Sequence, residues 1–207
     1  MLQYSLEVLA DLEAVGSIIL VVPDAAVADF EAILADQPAA ARVDALVAGG
    51  ATRQESVRLG LEAFEAVDRA AIVLCHDAAR PLATAELFRS VIKGVEGVEG
   101  CVPVVSSPDT VKLVRDGRVA TTVPRDEIGL AQTPQAFMDS VLRQAHERAY
   151  KEGIRATDDA SLVEMAGYSV AVVEGEISNF KITTREDLLR AEQVLATRST
   201  PMGDAPP

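Results

Sequence analysis

Four short polar stretches of this chain hold residue types that bind phosphates, sugars or bases. The first is Gly49-Gly50-Ala51-Thr52-Arg53-Gln54-Glu55-Ser56. Adjacent glycines let backbone approach a ligand closely, and the helix expected after them opens with unpaired N–H groups beside Arg53, Ser56 and Arg58. The bland alternative is a glycine turn that ends a strand. The second is His76-Asp77-Ala78-Ala79-Arg80-Pro81. Asp77 can hold a sugar hydroxyl or a metal-bound phosphate while Arg80 takes a phosphate oxygen, or the two can brace the loop as an ion pair. His76 beside Asp77 suggests a general base, but no nucleophile lies near it in sequence, so a packing role is expected.

The third stretch is Asp109, Thr110 and Lys112, then Pro124-Arg125-Asp126, then Ala131-Gln132-Thr133-Pro134-Gln135. Taken alone, Arg125 reads as a solvated charge at a turn. The fourth pairs Thr157-Asp158-Asp159-Ala160-Ser161 with Asn179-Phe180-Lys181-Ile182-Thr183-Thr184. Asp158 or Asp159 is expected to cap the helix that carries Leu162 and Val163. Adjacent carboxylates also suggest magnesium, but Mg²⁺ is usually held by one or two carboxylates plus substrate phosphates, so no dedicated protein metal site is expected.

Something must carry these stretches to one place. Apolar runs at residues 17–22 (SIILVV), 43–48 (VDALVA), 71–75 (AIVLC) and 101–105 (CVPVV) read as buried strands. Helical spacing appears at 2–14, at 27–34 with Asp24 as cap, at 54–66, and at 84–95 with Thr84 as cap. That alternation predicts a parallel sheet with helices on its faces, and the polar stretches fall at its strand ends, where open α/β sheets place ligands. Residues 109–114 and 118–123 flank Arg115-Asp116-Gly117, an Asp-Gly hairpin signal, so an inserted β-arm is expected. Helices at 139–151 and 159–166, ended by Gly153 and Gly167, a strand at 168–173, a short one at 179–182 and a last helix at 184–196 complete the reading. Thr183 and Glu186 have capping-box spacing for that last helix. One domain over 1–197 and a disordered tail over 198–207 are expected.

The 49% hydrophobic and 25% charged composition excludes a wholly disordered or collagen-like chain. Nineteen basic against thirty-two acidic residues give a net charge of −13, which disfavours nucleic acid and anionic membrane surfaces as partners. Cys75 and Cys101 each sit in an apolar run, too few for a zinc pattern, and read as buried reduced thiols. No run approaches the roughly 18 apolar residues of a membrane span and no targeting segment is read, so a cytoplasmic location is expected.

In order, GGATRQESV, HDAARP, DTVK, PRDEIGLAQTPQAF, TDDASLVE and NFKITTREDLLRAE resemble the 2-C-methyl-D-erythritol 4-phosphate cytidylyltransferases of non-mevalonate isoprenoid synthesis, over residues 2–195. TDDASLVE and NFKITTREDL distinguish this family from related alditol-phosphate cytidylyltransferases better than HDAARP does. The resemblance implies a Rossmann-like nucleotidyltransferase sheet, mostly parallel, with helices on both faces and the inserted arm. It implies cytidylyl transfer from CTP to methylerythritol phosphate with release of pyrophosphate, substrate-bound Mg²⁺, and a homodimer joined through the arm. Gly50, Ala51, Ser56, Asp77 and Ala78 would contact the nucleotide. Asp77, Arg80, Thr110, Arg125, Thr157 and Lys181 would contact the acceptor, with Thr110 and Arg125 crossing into the neighbouring subunit. Arg125 and Lys181 would orient the attacking phosphate, and the cations Arg53, Arg80, Arg125 and Lys181 are expected to converge.

The family pattern also begins with a strand, a glycine-rich turn carrying an arginine, and a Pro-Lys pair that together clamp the triphosphate. This sequence opens on MLQYSLEVL, which resembles the helix after that segment. The resemblance therefore implies a chain without that cradle, either a truncated or misassigned start of an active enzyme or a product that binds without catalysis. The strands beside the missing one are expected to keep unpaired backbone edges or to close on each other. The alternatives that stay open are another polyol phosphate as acceptor and a non-catalytic dimeric binding protein.

Overall fold

The computed structural model describes residues 1–67 and 71–199. The chain opens on α1 (Leu2–Ala10) and then alternates β1 (Ile18–Val22), α2 (Val27–Ala35), β2 (Val43–Ala48), α3 (Arg53–Val67), β3 (Ile72–Cys75), α4 (Ala85–Lys93) and β4 (Gly100–Ser106). The arm follows as β5 (Lys112–Arg115) and β6 (Arg118–Thr122), then come β7 (Gly129–Ala131) and β8 (Gln135–Met138). The remainder is α5 (Asp139–Glu152), α6 (Asp159–Met165), β9 (Val170–Glu174) and α7 (Arg185–Ser199).

Strand alternation explains how one sheet serves two cores. Val73 and Cys75, with Phe137 and Val102, meet Leu61 of α3, Leu142 of α5 and Val163 of α6. Their neighbours point the other way: Leu74 packs with Phe88 and Leu6, and Ala136 and Cys101 pack with Val91. Helices therefore cover both faces, as expected. Phe88, Phe137 and Leu142 are fully buried, each contributing roughly 1.5–3 kcal/mol of transfer free energy. Both cysteines are buried and free.

The pairing is more mixed than expected. β1 and β2 are parallel, and β4 and β9 are parallel, but β8 enters antiparallel between β3 and β4, and β7 runs against β4. The chain returns from β4 through the arm and a short polar turn, and a strand that comes straight back lies antiparallel. β1 pairs with β2 alone and β3 with β8 alone among the described residues. A cleft of about 470 Å³ separates the two, walled by Ile19 and Leu20 of β1 and by Ile72 and Leu74 of β3, and covered by Leu6 and Phe88. β1 and β3 have thus kept open edges and not closed on each other.

The arm is a sheet of its own, β5 against β6. Asp116 and Gly117 have φ of 48° and 72°, the positive values that a two-residue hairpin turn requires. Every residue of both strands is exposed, Leu113, Val114 and Val119 included.

Several local expectations are corrected. Helix α1 stops at Ala10, although Leu12 remains buried beyond it. Asp24 begins a 3-10 turn and makes no side-chain cap. Residues 179–182 form no strand: Asn179 N–H turns back to Glu176 O at 2.9 Å and Ile182 N–H reaches Ala79 O at 2.8 Å, and the two bonds make no ladder. The capping box of α7 lies one residue later than Thr183 and Glu186: Asp187 accepts from Thr184 N–H at 2.9 Å and donates its own N–H to Thr184 Oγ1 at 3.1 Å. Arg198 and Ser199 belong to α7, and the remainder of the expected tail, 200–207, lies outside the described residues.

Candidate functional site

The glycine stretch forms a tight turn onto which its own polar side chains fold. Thr52 Oγ1 accepts from Glu55 N–H at 3.1 Å, Ser56 Oγ accepts from Gly50 N–H at 3.1 Å, and Glu55 Oε2 accepts from Ala51 N–H at 2.9 Å. Polar side chains at the start of the helix thus fold back onto the N–H groups of Gly50, Ala51 and Glu55, as N-terminal caps do. Glycine is required at 49, because a Cβ there would lie 2.8 Å from Ser56 Oγ and 3.2 Å from Val22 O. The same turn carries Arg53 toward the end of β3.

There Arg53 meets Asp77. Its Nε donates to Asp77 Oδ1 at 2.8 Å, and Lys181 Nζ donates to Asp77 Oδ2 at 2.8 Å. Burial alone would push the Asp77 carboxyl upward, but the bonds from Lys181 and Arg53 outweigh it and bring it down to about 2. Asp77 N–H is fixed by Thr133 Oγ1 at 3.0 Å. The ion pair considered between Asp77 and Arg80 is not the arrangement observed. Arg80 instead donates through Nη1 to Asn179 O at 2.7 Å, tying its loop to the segment that bears Lys181. Asn179 is itself fully buried, with Nδ2 donating to Thr133 O at 2.9 Å. Arg53 and Lys181 thus grip one carboxylate at the strand ends, and Arg80 stands near enough to feel the charges of both Asp77 and Arg53.

His76 packs its ring against Phe88 at 5.1 Å between centroids, and Thr133 Oγ1 lies 3.3 Å from its Nδ1. Burial lowers its pKa to about 4, so the ring is neutral near pH 7 and has little strength as a base. The packing role expected for it stands.

The other predicted residues fall in two places. Ala78 follows Asp77 on the same loop, and Thr157 lies exposed just before α6, on a pocket it shares with Arg53 and Asp159. Thr110 and Arg125 stand apart at the base of the exposed arm, where Arg125 Nη1 donates to Pro108 O at 3.5 Å. Within one chain, then, Arg53, Arg80 and Lys181 converge and Arg125 does not join them.

Two site residues escaped the sequence reading. Asp158 takes the cap of α6, accepting from Ser161 N–H at 3.0 Å, which leaves Asp159 turned inward. Asp159 Oδ2 accepts from Arg53 Nη1 at 2.8 Å, and its Oδ1 lies 3.0 Å from His146 Nε2. The doubled carboxylate was a usable signal, since a helix start needs only one cap. His146 carried none. Burial would raise the Asp159 carboxyl, yet the bond from His146 and the Arg53 charge hold it below its ordinary range.

This constellation has relatives. A family model described as 2-C-methyl-D-erythritol 4-phosphate cytidylyltransferase matches residues 1–197. The chain belongs to the 2-C-methyl-D-erythritol 4-phosphate cytidylyltransferase family. The enzyme of that name from Halalkalibacterium halodurans is 44% identical over 165 residues, which is 80% of this chain and 71% of that one. The crystal structure of the Thermus thermophilus cytidylyltransferase superposes with a TM-score of 0.78 at 35% identity, covering 94% of this chain and 88% of that one. The 4-diphosphocytidyl-2C-methyl-D-erythritol synthase of Anaerococcus prevotii gives a TM-score of 0.83 at 32% identity, covering 94% and 85%. The region matched by the cytidylyltransferase family includes all four polar stretches, and with them Arg53, Asp77 and Lys181.

Proposed function

We propose that this chain transfers the cytidylyl group of CTP to 2-C-methyl-D-erythritol 4-phosphate. An oxygen of the acceptor phosphate attacks the α-phosphorus, the bond to the bridging oxygen breaks, and pyrophosphate leaves. Such a step needs positioning and charge neutralisation, with no covalent nucleophile on the protein. The observation that carries the reading is the meeting of Lys181 and Arg53 on Asp77 at 2.8 Å each, at the strand ends. Lys181, 44% exposed, has its ammonium available to an acceptor phosphate. Gly50, Ala51, Ser56, Asp77 and Ala78 line the nucleotide side, and Arg80 and Thr157 stand with Lys181 on the acceptor side.

Mg²⁺ enters this reading with the triphosphate, where it neutralises phosphate charge. Among the described residues no three His, Cys, Asp or Glu side chains cluster as a metal site, and Asp77 would ligate the ion only by releasing Arg53 or Lys181. A homodimer joined through the arm completes the acceptor site with Thr110 and Arg125 of the neighbouring subunit. Exposed Leu113, Val114 and Val119 on a free hairpin support that role. No helix among the described residues is long and apolar enough to cross a membrane.

Pyrophosphate release with CTP, Mg²⁺ and methylerythritol phosphate tests the reading. Turnover with this acceptor is expected. Turnover only with a different polyol phosphate, or ligand binding without turnover, would overturn it in favour of the corresponding alternative.

A further inference from the structure

Arg53 is gripped from two sides by carboxylates far apart in the chain. Its Nε bonds Asp77 and its Nη1 bonds Asp159, each at 2.8 Å. Asp159 is 1% exposed and His146 is 2% exposed, so both stand behind Arg53. The result is a continuous chain of contacts from His146 through Asp159, Arg53 and Asp77 to Lys181 at the surface.

A buried carboxylate is costly, and breaking its pairing more so. Asp159 does not repay that cost by capping α6, because Asp158 does the capping. Its effect falls on Arg53. The guanidinium is a planar fork that prefers to hold one carboxylate with two parallel bonds. Asp159 holds Nη1, on the far side of the fork from Nε, and so fixes the tilt at which Nε meets a single oxygen of Asp77, leaving the other oxygen for Lys181.

We propose that Asp159 is a positioning residue for the acceptor phosphate, acting through Arg53 and Asp77 on the placement of Lys181. This rests on the reading of Lys181 as an acceptor contact. Without the Asp159 charge, Arg53 is free to tilt its Nε and Nη2 edge onto both oxygens of Asp77 and displaces Lys181. His146 holds Asp159 from behind and keeps its second oxygen satisfied.

The test is a double-mutant cycle in affinity. Calorimetric binding of methylerythritol phosphate is measured in the presence of an α,β-methylene analogue of CTP, which binds without transfer. Asp159→Asn is expected to weaken binding about tenfold, and Lys181→Ala about tenfold or more. The double variant should bind no more than about twofold weaker than Lys181→Ala, since residues acting as a unit are not additive. Equal losses from Asp159→Asn in both backgrounds, or no loss at all, would overturn the proposal in favour of a brace that acts on the fold alone. Wild-type affinity of Lys181→Ala would overturn the reading of Lys181, and the proposal with it. Should Asp159→Asn fail to fold, Arg53→Lys, which keeps the charge and loses the fork, takes its place in the same cycle.

Discussion

Gln54 grips the backbone on either side of Arg155: its Nε2 donates to Ile154 O at 3.0 Å and its Oε1 accepts from Ala156 N–H at 3.1 Å. The first turn of α3 is thereby tied to the loop that leads into Thr157, about a hundred residues away in sequence. Gln54→Ala removes two partly buried bonds at roughly 0.5–1.5 kcal/mol each, so a stability loss of about 1–3 kcal/mol is expected by denaturant titration. Gln54→Glu keeps one acceptor and loses the donor, and should fall between the two. Equal midpoints for all three proteins would show that the tie contributes nothing.

Acid stability reports on His76. Its folded pKa of about 4 lies below its unfolded value near 6.5, so between those values the unfolded chain binds more protons than the folded one. Stability should therefore fall as the pH is lowered from about 6.5 toward 4, by at most about 3 kcal/mol, and by less because the ring also borders the open cleft. Asp77, held at about 2, adds a second loss as the pH drops from its ordinary value near 3.8. Thermal melts of His76→Gln should flatten the upper slope only. An unchanged slope in that variant would assign the acid sensitivity elsewhere.

The elements that carry the site were largely legible. Val43 to Ala48 is an apolar run with nothing polar to interrupt its pairing except Asp44, and the strand has those bounds. Asp116-Gly117 announced a turn that only positive φ allows. By contrast, β8 was missed because Pro134 and Gln135 make its start look like a loop. Gln135 is nonetheless buried, donating through Nε2 to Asp158 Oδ2 at 2.8 Å. Which of two adjacent aspartates caps and which turns inward is decided by partners a dozen and more residues away, His146 and Arg53, that local spacing does not encode. Likewise Arg53 was legible as a cation beside a glycine turn, while its two carboxylate partners were visible only once the loops met.

Arg125 distinguishes a phosphate ligand from a solvated turn charge. If its fork holds the acceptor phosphate bidentately across the dimer, lysine cannot replace it. Arg125→Lys should lose roughly one to two decades of kcat/KM, almost as much as Arg125→Ala. Near-wild-type kinetics in both variants would assign Arg125 to solvent.

The arm should be the dimer contact. A variant lacking residues 110–122 is expected to sediment as a monomer where the full chain sediments as a dimer. A truncated variant that stays dimeric places the interface elsewhere.

Lys181 carries the central claim, that the cation on Asp77 holds the acceptor phosphate during cytidylyl transfer. Steady-state kinetics of Lys181→Ala against wild type, with each substrate varied in turn, measure it directly. Loss of one charge-assisted contact should lower kcat/KM for methylerythritol phosphate by roughly one to two decades, while KM for CTP stays within about twofold because Lys181 lies outside the nucleotide loops. An equal loss in both parameters, or wild-type kinetics for the acceptor, would contradict the account.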